Sequence, residues 1–109
     1  MDFTFIESDE FTKLLGKVLE DDEYSKLQLF LTMRPESGVL IPGGSGLRKL
    51  RWKKGSKGKS GGLRLIYYLH LSAHVILMIF IYPKSKQTDL TARQLKLLAD
   101  DIRRKGGIV

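Results

Sequence analysis

The chain has 109 residues, a net charge of +7 and a sequence pI near 9.8, with 42% hydrophobic and 28% charged residues. That length and composition fit one domain, 1–109, with a single modest core, and exclude wholesale disorder. The absence of cysteine excludes a disulfide scaffold, a cysteine-based zinc site and a cysteine nucleophile, while the basic balance favours an anionic partner, nucleic acid first.

Phe3–Ile6 is a short β-type run. Ser8 then caps a helix whose first turn holds Asp9 and Glu10, acids that suit the positive end of the helix dipole. Phe11, Leu14, Leu15, Val18 and Leu19 follow i, i+3, i+4, i+7, i+8 spacing, which predicts an amphipathic helix. Asp21 or Asp22 caps a second helix, for which Tyr24, Leu27, Leu29, Phe30, Leu31 and Met33 supply apolar surface. That helix ends near Met33–Arg34, because Pro35 disfavours helical geometry in the residue before it. The two helices form a hairpin. Charge is unevenly spread: residues 1–24 hold eight acids against two bases, so this end could face a basic partner.

Pro35–Ser45 reads as a loop. Its Gly43-Gly44-Ser45-Gly46 stretch precedes a strand and lacks the Walker pattern, so it is a turn and not a phosphate cradle. Next comes GLRKLRWKKGSKGKSGGLRLIYY, Gly46–Tyr68, which reads as two strands around a Gly/Ser/Lys connection at Gly55–Gly62. Between Arg48 and Arg64 it has eight basic residues and no acid. Side chains alternate along a strand, so Arg48, Leu50, Trp52 and Lys54 share one face, and Leu47, Lys49, Arg51 and Lys53 the other. A rigid cationic sheet face, unlike a mixed soluble surface, is what a polyphosphate ligand requires.

His70–Ala73 is a turn pivoting at Ser72. Its flanking His70 and His74 have no carboxylate or third histidine beside them, so no metal site is read there. Val75–Tyr82 is a continuous apolar run, the mark of a strand covered on both faces, and is too short to cross a bilayer. Pro83–Asp89 is a polar loop. Thr91 caps a last helix with Leu95, Leu98, Ala99 and Ile102 inward, ending in Arg103-Arg104-Lys105 and the terminating Gly106-Gly107. The order β-α-α-β-β-β-α predicts an α+β fold: a small, mostly antiparallel sheet with an N-terminal helical hairpin and a C-terminal helix. The acidic start MDFTFIESDEF has none of the pattern of a signal peptide, and the chain is expected in the cytoplasm.

The acidic strand-to-helical-pair start, GLRKLRW, a Gly/Lys loop, GGLRLIYYL, an apolar strand ending at Tyr82 and PKSKQTDLTARQLKLL together resemble the RelE/ParE superfamily of bacterial type II toxins, in particular its HigB-like branch. Gly46–Leu98 carries most of the resemblance. It implies a RelE-like fold and a ribosome-dependent mRNA endonuclease that needs no cofactor or metal. It also implies a cognate antitoxin, often a HigA-like helix-turn-helix protein, that holds the enzyme inactive. ParE-like relatives instead resemble gyrase poisons, and a non-catalytic RNA- or ribosome-binding module is a further alternative.

In the RelE-like pattern, cations on both hairpin arms and in the last strand-to-helix loop surround the scissile phosphate. Carried over, these are Lys49, Arg51, Arg64, Lys84 and Lys86. Ser85 stands where RelE-type enzymes have an arginine, and Thr88 or Leu90 where they have a tyrosine; Lys86 and Tyr82 are the substitutes at hand. Attack by a ribose 2′-OH needs a base, cations for the phosphorane, and an acid for the leaving 5′-oxygen. Lys49, crowded by Arg48, Arg51 and Arg64, is assigned as base on the ground that neighbouring cations disfavour its charged form. Arg51 and Arg64 grip the phosphate, and Lys84 or Lys86 serves as acid or clamp. Arg48, Trp52, Lys53, Lys54, Lys57, Lys59 and Tyr82 are assigned to RNA binding. Trp52 and one of Tyr67 and Tyr68 also suit the sheet core, and Tyr82 is the preferred stacking ring.

Overall fold

The computed structural model describes residues 2–53 and 62–104. Elements follow in the order β1 (Thr4–Glu7), α1 (Asp9–Val18), α2 (Asp21–Met33), β2 (Val39–Leu40), β3 (Leu47–Trp52), β4 (Leu63–His70), β5 (Val75–Pro83) and α3 (Ala92–Arg104). They build one five-stranded sheet in the spatial order β1-β5-β4-β3-β2. Only β1 runs parallel to its neighbour, β5; the remaining pairs are antiparallel. The α+β architecture is the one expected, with one strand added.

That added strand is β2, inside the segment read as loop. Two residues carry no periodic signal, and pairing alone defines them, with Val39 opposite Lys49 and Leu40 opposite Arg48. Nearby, the buried Tyr67 hydroxyl accepts from the Gly38 N–H at 2.9 Å and donates to the Pro35 carbonyl at 2.7 Å. Arg48 donates to the Gly38 carbonyl at 2.7 Å and to that of Glu36 at 3.2 Å. A Cβ on Gly38 would lie 2.7 Å from Tyr67 Cε1, so only glycine admits this approach.

The two sheet faces are covered differently. On one, α1 and α2 pack Phe11, Leu19, Leu27 and Leu31 against Leu50, Leu65, Tyr67 and Met78. On the other, Ile102 of α3, with half-buried Leu95 and Leu98, packs against Leu47, Ile66, Leu77 and Tyr82. Ser8 caps α1 as predicted, its Oγ accepting from the Phe11 N–H at 3.0 Å. Thr91 and Gln94 form a reciprocal capping box: Thr91 Oγ1 accepts from the Gln94 N–H at 3.0 Å, and Gln94 Oε1 from the Thr91 N–H at 2.9 Å. The N-cap of α2 is Glu20, without a side-chain cap bond, where Asp21 or Asp22 was expected. Of the apolar residues of α2, Leu27 and Leu31 are buried, whereas Leu29 and Met33 point to solvent at 62% and 72% exposure.

The β4–β5 turn spans residues 71–74, closed by the His74 N–H to the Leu71 carbonyl at 3.1 Å, with the positive φ (55°) at His74 and not at Ser72. His70 and His74 serve that turn: His70 Nδ1 accepts from the Ala73 N–H, and the His74 ring packs edge-on against Phe3. The Gly43–Gly46 stretch is the turn expected; Gly46 has φ +98° and a Cβ there would meet the Tyr68 ring at 2.6 Å. Within β5 a bulge leaves Ile79 as an extra residue, since Ile66 pairs with Phe80 but Tyr67 with Met78. Ser8 Oγ donates to the Ile79 carbonyl at 2.8 Å. The bulge shifts side-chain parity along β5 and sets which face the end of that strand presents.

Candidate nucleic-acid interface

Directly opposed residues of antiparallel strands share a face. Arg51 pairs with Arg64, and Arg64 with Tyr82, so these three form one row across β3, β4 and β5. The next row on that face begins with Lys49, followed by Ile66 and Phe80. Lys49, Arg51 and Arg64 are thus brought together on the α3 side of the sheet, beside the β5–α3 loop. Burial grades them: Arg64 lies 5% exposed in the floor, Lys49 is intermediate, and Arg51 is exposed at the rim. Arg64 Nη1 donates to the Leu63 carbonyl at 3.2 Å, an anchor that helps fix the guanidinium.

Arg48 does not join them. Strand alternation turns it to the helical-hairpin face, where it holds the Glu36 and Gly38 carbonyls. The crowd of cations invoked around Lys49 is also incomplete, because an acid stands within it. Lys49 Nζ lies 3.1 Å from Asp89 Oδ1. Asp89 is held in turn by the Leu90 N–H at 2.9 Å, while Gln87 Nε2 donates to its carbonyl at 2.7 Å and to Gln94 Oε1 at 3.0 Å. The capping box therefore braces the loop that carries Asp89. The hydrogen bond from Lys49 first, with the Leu90 N–H and the charges of Lys49 and Arg64, holds the Asp89 carboxyl below its usual range. It stays ionised at neutral pH.

Tyr82 is 3% exposed, with its ring packed into the α3-side core. Its face is closed to a stacking base, which corrects the expectation for that ring; the end of a strand beside a proline is buried here because the loop and α3 fold back over it. The Tyr82 hydroxyl, buried with no hydrogen-bond partner among the described residues, is what the residue offers the row. Burial and then Asp89 push its pKa up, against the opposing pull of Arg64, so it remains a proton donor at neutral pH. Trp52 is half-buried and packs against Phe30 with ring centroids 5.6 Å apart. Tyr67 is wholly in the core and Tyr68 half-buried, so the core reading holds for Trp52 and Tyr67.

Lys53 is exposed just past β3. Lys54, Lys57 and Lys59, most of the Gly55–Gly62 connection and Lys105–Gly107 lie outside the described residues. Lys84 is exposed, its backbone N–H bonded to the Gly62 carbonyl at 3.0 Å, which sets it at the end of the sheet where Arg51 and Lys53 emerge. Lys86 lines a hollow of about 390 Å³ whose other wall includes Leu14, Lys17 and Val18 of α1. It is therefore turned toward the helical hairpin. Asp89 is the group the sequence reading missed. Asp-Leu-Thr marks a helix start, but nothing local reports a contact with a lysine 40 positions away.

No protein-family profile matches the chain. Its fold resembles that of the E. coli toxin RelE, a mutant solved in the free state: TM-score 0.60 at 15% identity, covering 93% of this chain and 97% of that one. It also resembles a chain of the intact E. coli RelBE toxin–antitoxin complex, with TM-score 0.55 at 15% identity over 74% of this chain and 95% of that one. The chain has a RelE-like fold.

Proposed function

We propose that this protein is the toxin of a type II toxin–antitoxin pair, of the HigB-like kind, and a ribosome-dependent mRNA endonuclease of the cytoplasm. The observation that carries the reading is the Lys49, Arg51 and Arg64 cluster, graded from rim to floor on one sheet face of a RelE-like fold. A scissile phosphate set over the row meets the two guanidinium forks of Arg51 and Arg64, which match paired phosphoryl oxygens and the charge of a phosphorane. Lys84, at the same end of the sheet, extends the grip along the backbone.

Lys49 is the base for the 2′-OH in this scheme, with Asp89 its positioning partner. The ammonium first gives a proton to solvent water, and the Nζ lone pair then takes the hydroxyl proton. The 2′-oxygen attacks phosphorus, and the bond to the 5′-oxygen breaks. That oxygen takes up a proton from Lys84, leaving a 2′,3′-cyclic phosphate and a 5′-OH. No metal or cofactor enters these steps. The partner that restrains the enzyme is a cognate antitoxin, proposed as HigA-like.

The test is in-vitro translation of a defined mRNA with wild type, Lys49→Ala and Arg64→Ala, mapping RNA ends by primer extension beside free mRNA without ribosomes. Cleavage on translating ribosomes alone, lost in both variants, is the expected result. Intact mRNA with normal translation would point to a gyrase poison, and intact mRNA with blocked translation to a non-catalytic ribosome-binding module.

A further inference from the structure

The cations occupy one end of the α3-side face, and α3 leaves another part of that face uncovered. Between α3 and the β1–α1 junction runs a trough of about 450 Å³ floored by Ile6, Leu77, Ile79, Leu98 and Ile102. Its rim is Glu7, Asp9, Glu10 and Asp101. Leu98 and Glu10 also line an adjoining hollow of about 260 Å³, with Phe80, Gln94 and Leu97. Among the described residues lining the two, no lysine or arginine occurs. On a chain of net charge +7, this is a local inversion of sign around an apolar floor.

Part of the acidity has an internal explanation. Asp9 and Glu10 suit the positive end of α1, Glu7 accepts from Thr12 and Tyr24, and Asp101 pairs with Arg104 at 2.6 Å. None of these explains the uncovered aliphatic floor, or Leu97 standing 60% exposed on the flank of α3. Gln94, Leu97, Leu98 and Asp101 follow i, i+3, i+4, i+7 spacing, so one continuous stripe of α3 forms the wall. A helix laid beside that stripe would seat its own apolar ridge in the trough.

We propose that this trough is a docking site for an amphipathic helix of a partner protein, with leucine-type residues on its buried stripe and lysine or arginine at its edges. The apolar stripe covers Ile6, Ile79, Leu97 and Leu98, and the flanking cations meet Asp9, Glu10 and Asp101. The trough itself shares no lining residue with the Lys49–Arg64 row, so its occupancy neither requires nor implies RNA cleavage.

The experiment titrates the whole protein into two labelled helical peptides of the same leucine pattern, one with lysine and one with glutamate at the remaining positions, and follows anisotropy. Net charge alone predicts that the glutamate peptide binds better. The trough predicts the lysine peptide about tenfold tighter, because two or three exposed pairs form with one peptide and are repelled by the other. Amide shifts should move at Glu10, Leu97 and Asp101, and Leu97→Asp, at an exposed position, should weaken lysine-peptide binding without unfolding. Asp9→Lys with Glu10→Lys should reverse the preference. Equal or tighter binding of the glutamate peptide overturns the proposal, as do shifts mapping elsewhere or indifference to Leu97→Asp. Cleavage of mRNA by the same preparations reports separately on the nuclease reading.

Discussion

Tyr67→Phe removes a single oxygen that serves two backbone groups. The wild-type hydroxyl accepts from the Gly38 N–H at 2.9 Å and donates to the Pro35 carbonyl at 2.7 Å, tying the segment before β2 to the middle of the sheet. The Gly38 bond is buried, so its N–H is left without a partner; the Pro35 carbonyl is partly buried and regains water. An orphaned buried donor costs about 1–3 kcal/mol, and the second bond adds a fraction of that, giving a loss of about 2 kcal/mol. For a domain of this size the loss lowers Tm by about 10 °C. Urea unfolding should show a lower midpoint at unchanged m-value. Since Tyr67 and Lys49 point to opposite faces, cleavage per folded molecule should stay the same. A stability loss below about 0.5 kcal/mol would refute the reasoning, because it would mean that water or a backbone shift replaces both bonds.

Asp89→Asn keeps an oxygen for the Leu90 N–H but releases Lys49 from its ion pair. An exposed pair of this kind is worth about 0.2–1 kcal/mol, so affinity for a short RNA at low salt should rise by up to about fivefold, read by anisotropy, and the gain should fade as salt is added. Gln94→Ala opens the capping box and the brace on Gln87; a loss of about 1 kcal/mol and a Tm lower by about 5 °C are expected by calorimetry. Burial pushes the pKa of Tyr24, Tyr67 and Tyr82 above the ordinary phenol value, with Glu7 adding to the shift at Tyr24 and Asp89 at Tyr82. A pKa raised by folding contributes stability that is complete below the unfolded value near 10 and is lost as pH rises through the folded value. Stability followed by circular dichroism should therefore be level from neutral pH to about 9 and fall steeply above 10, less so in Tyr24→Phe.

The sequence by itself determined what depends on near neighbours. The 3.6-residue spacing from Phe11 to Leu19 and from Leu95 to Ile102, the caps at Ser8 and Thr91, and the alternation in Leu47–Trp52 each act over a turn or a strand. They placed α1, α3, β3 and the face shared by Lys49 and Arg51. Tertiary structure decided whatever joins distant segments. It pairs β2 with β3, bulges β5 at Ile79 so that Tyr82 falls in line with Arg64, and buries that ring under α3. It also commits Arg48 to the loop carbonyls and sets Asp89 against Lys49. The physical reason is that an apolar run such as Val75–Tyr82 has no internal parity, and a charged side chain on a loop has no preferred partner, until the packing of other elements supplies one.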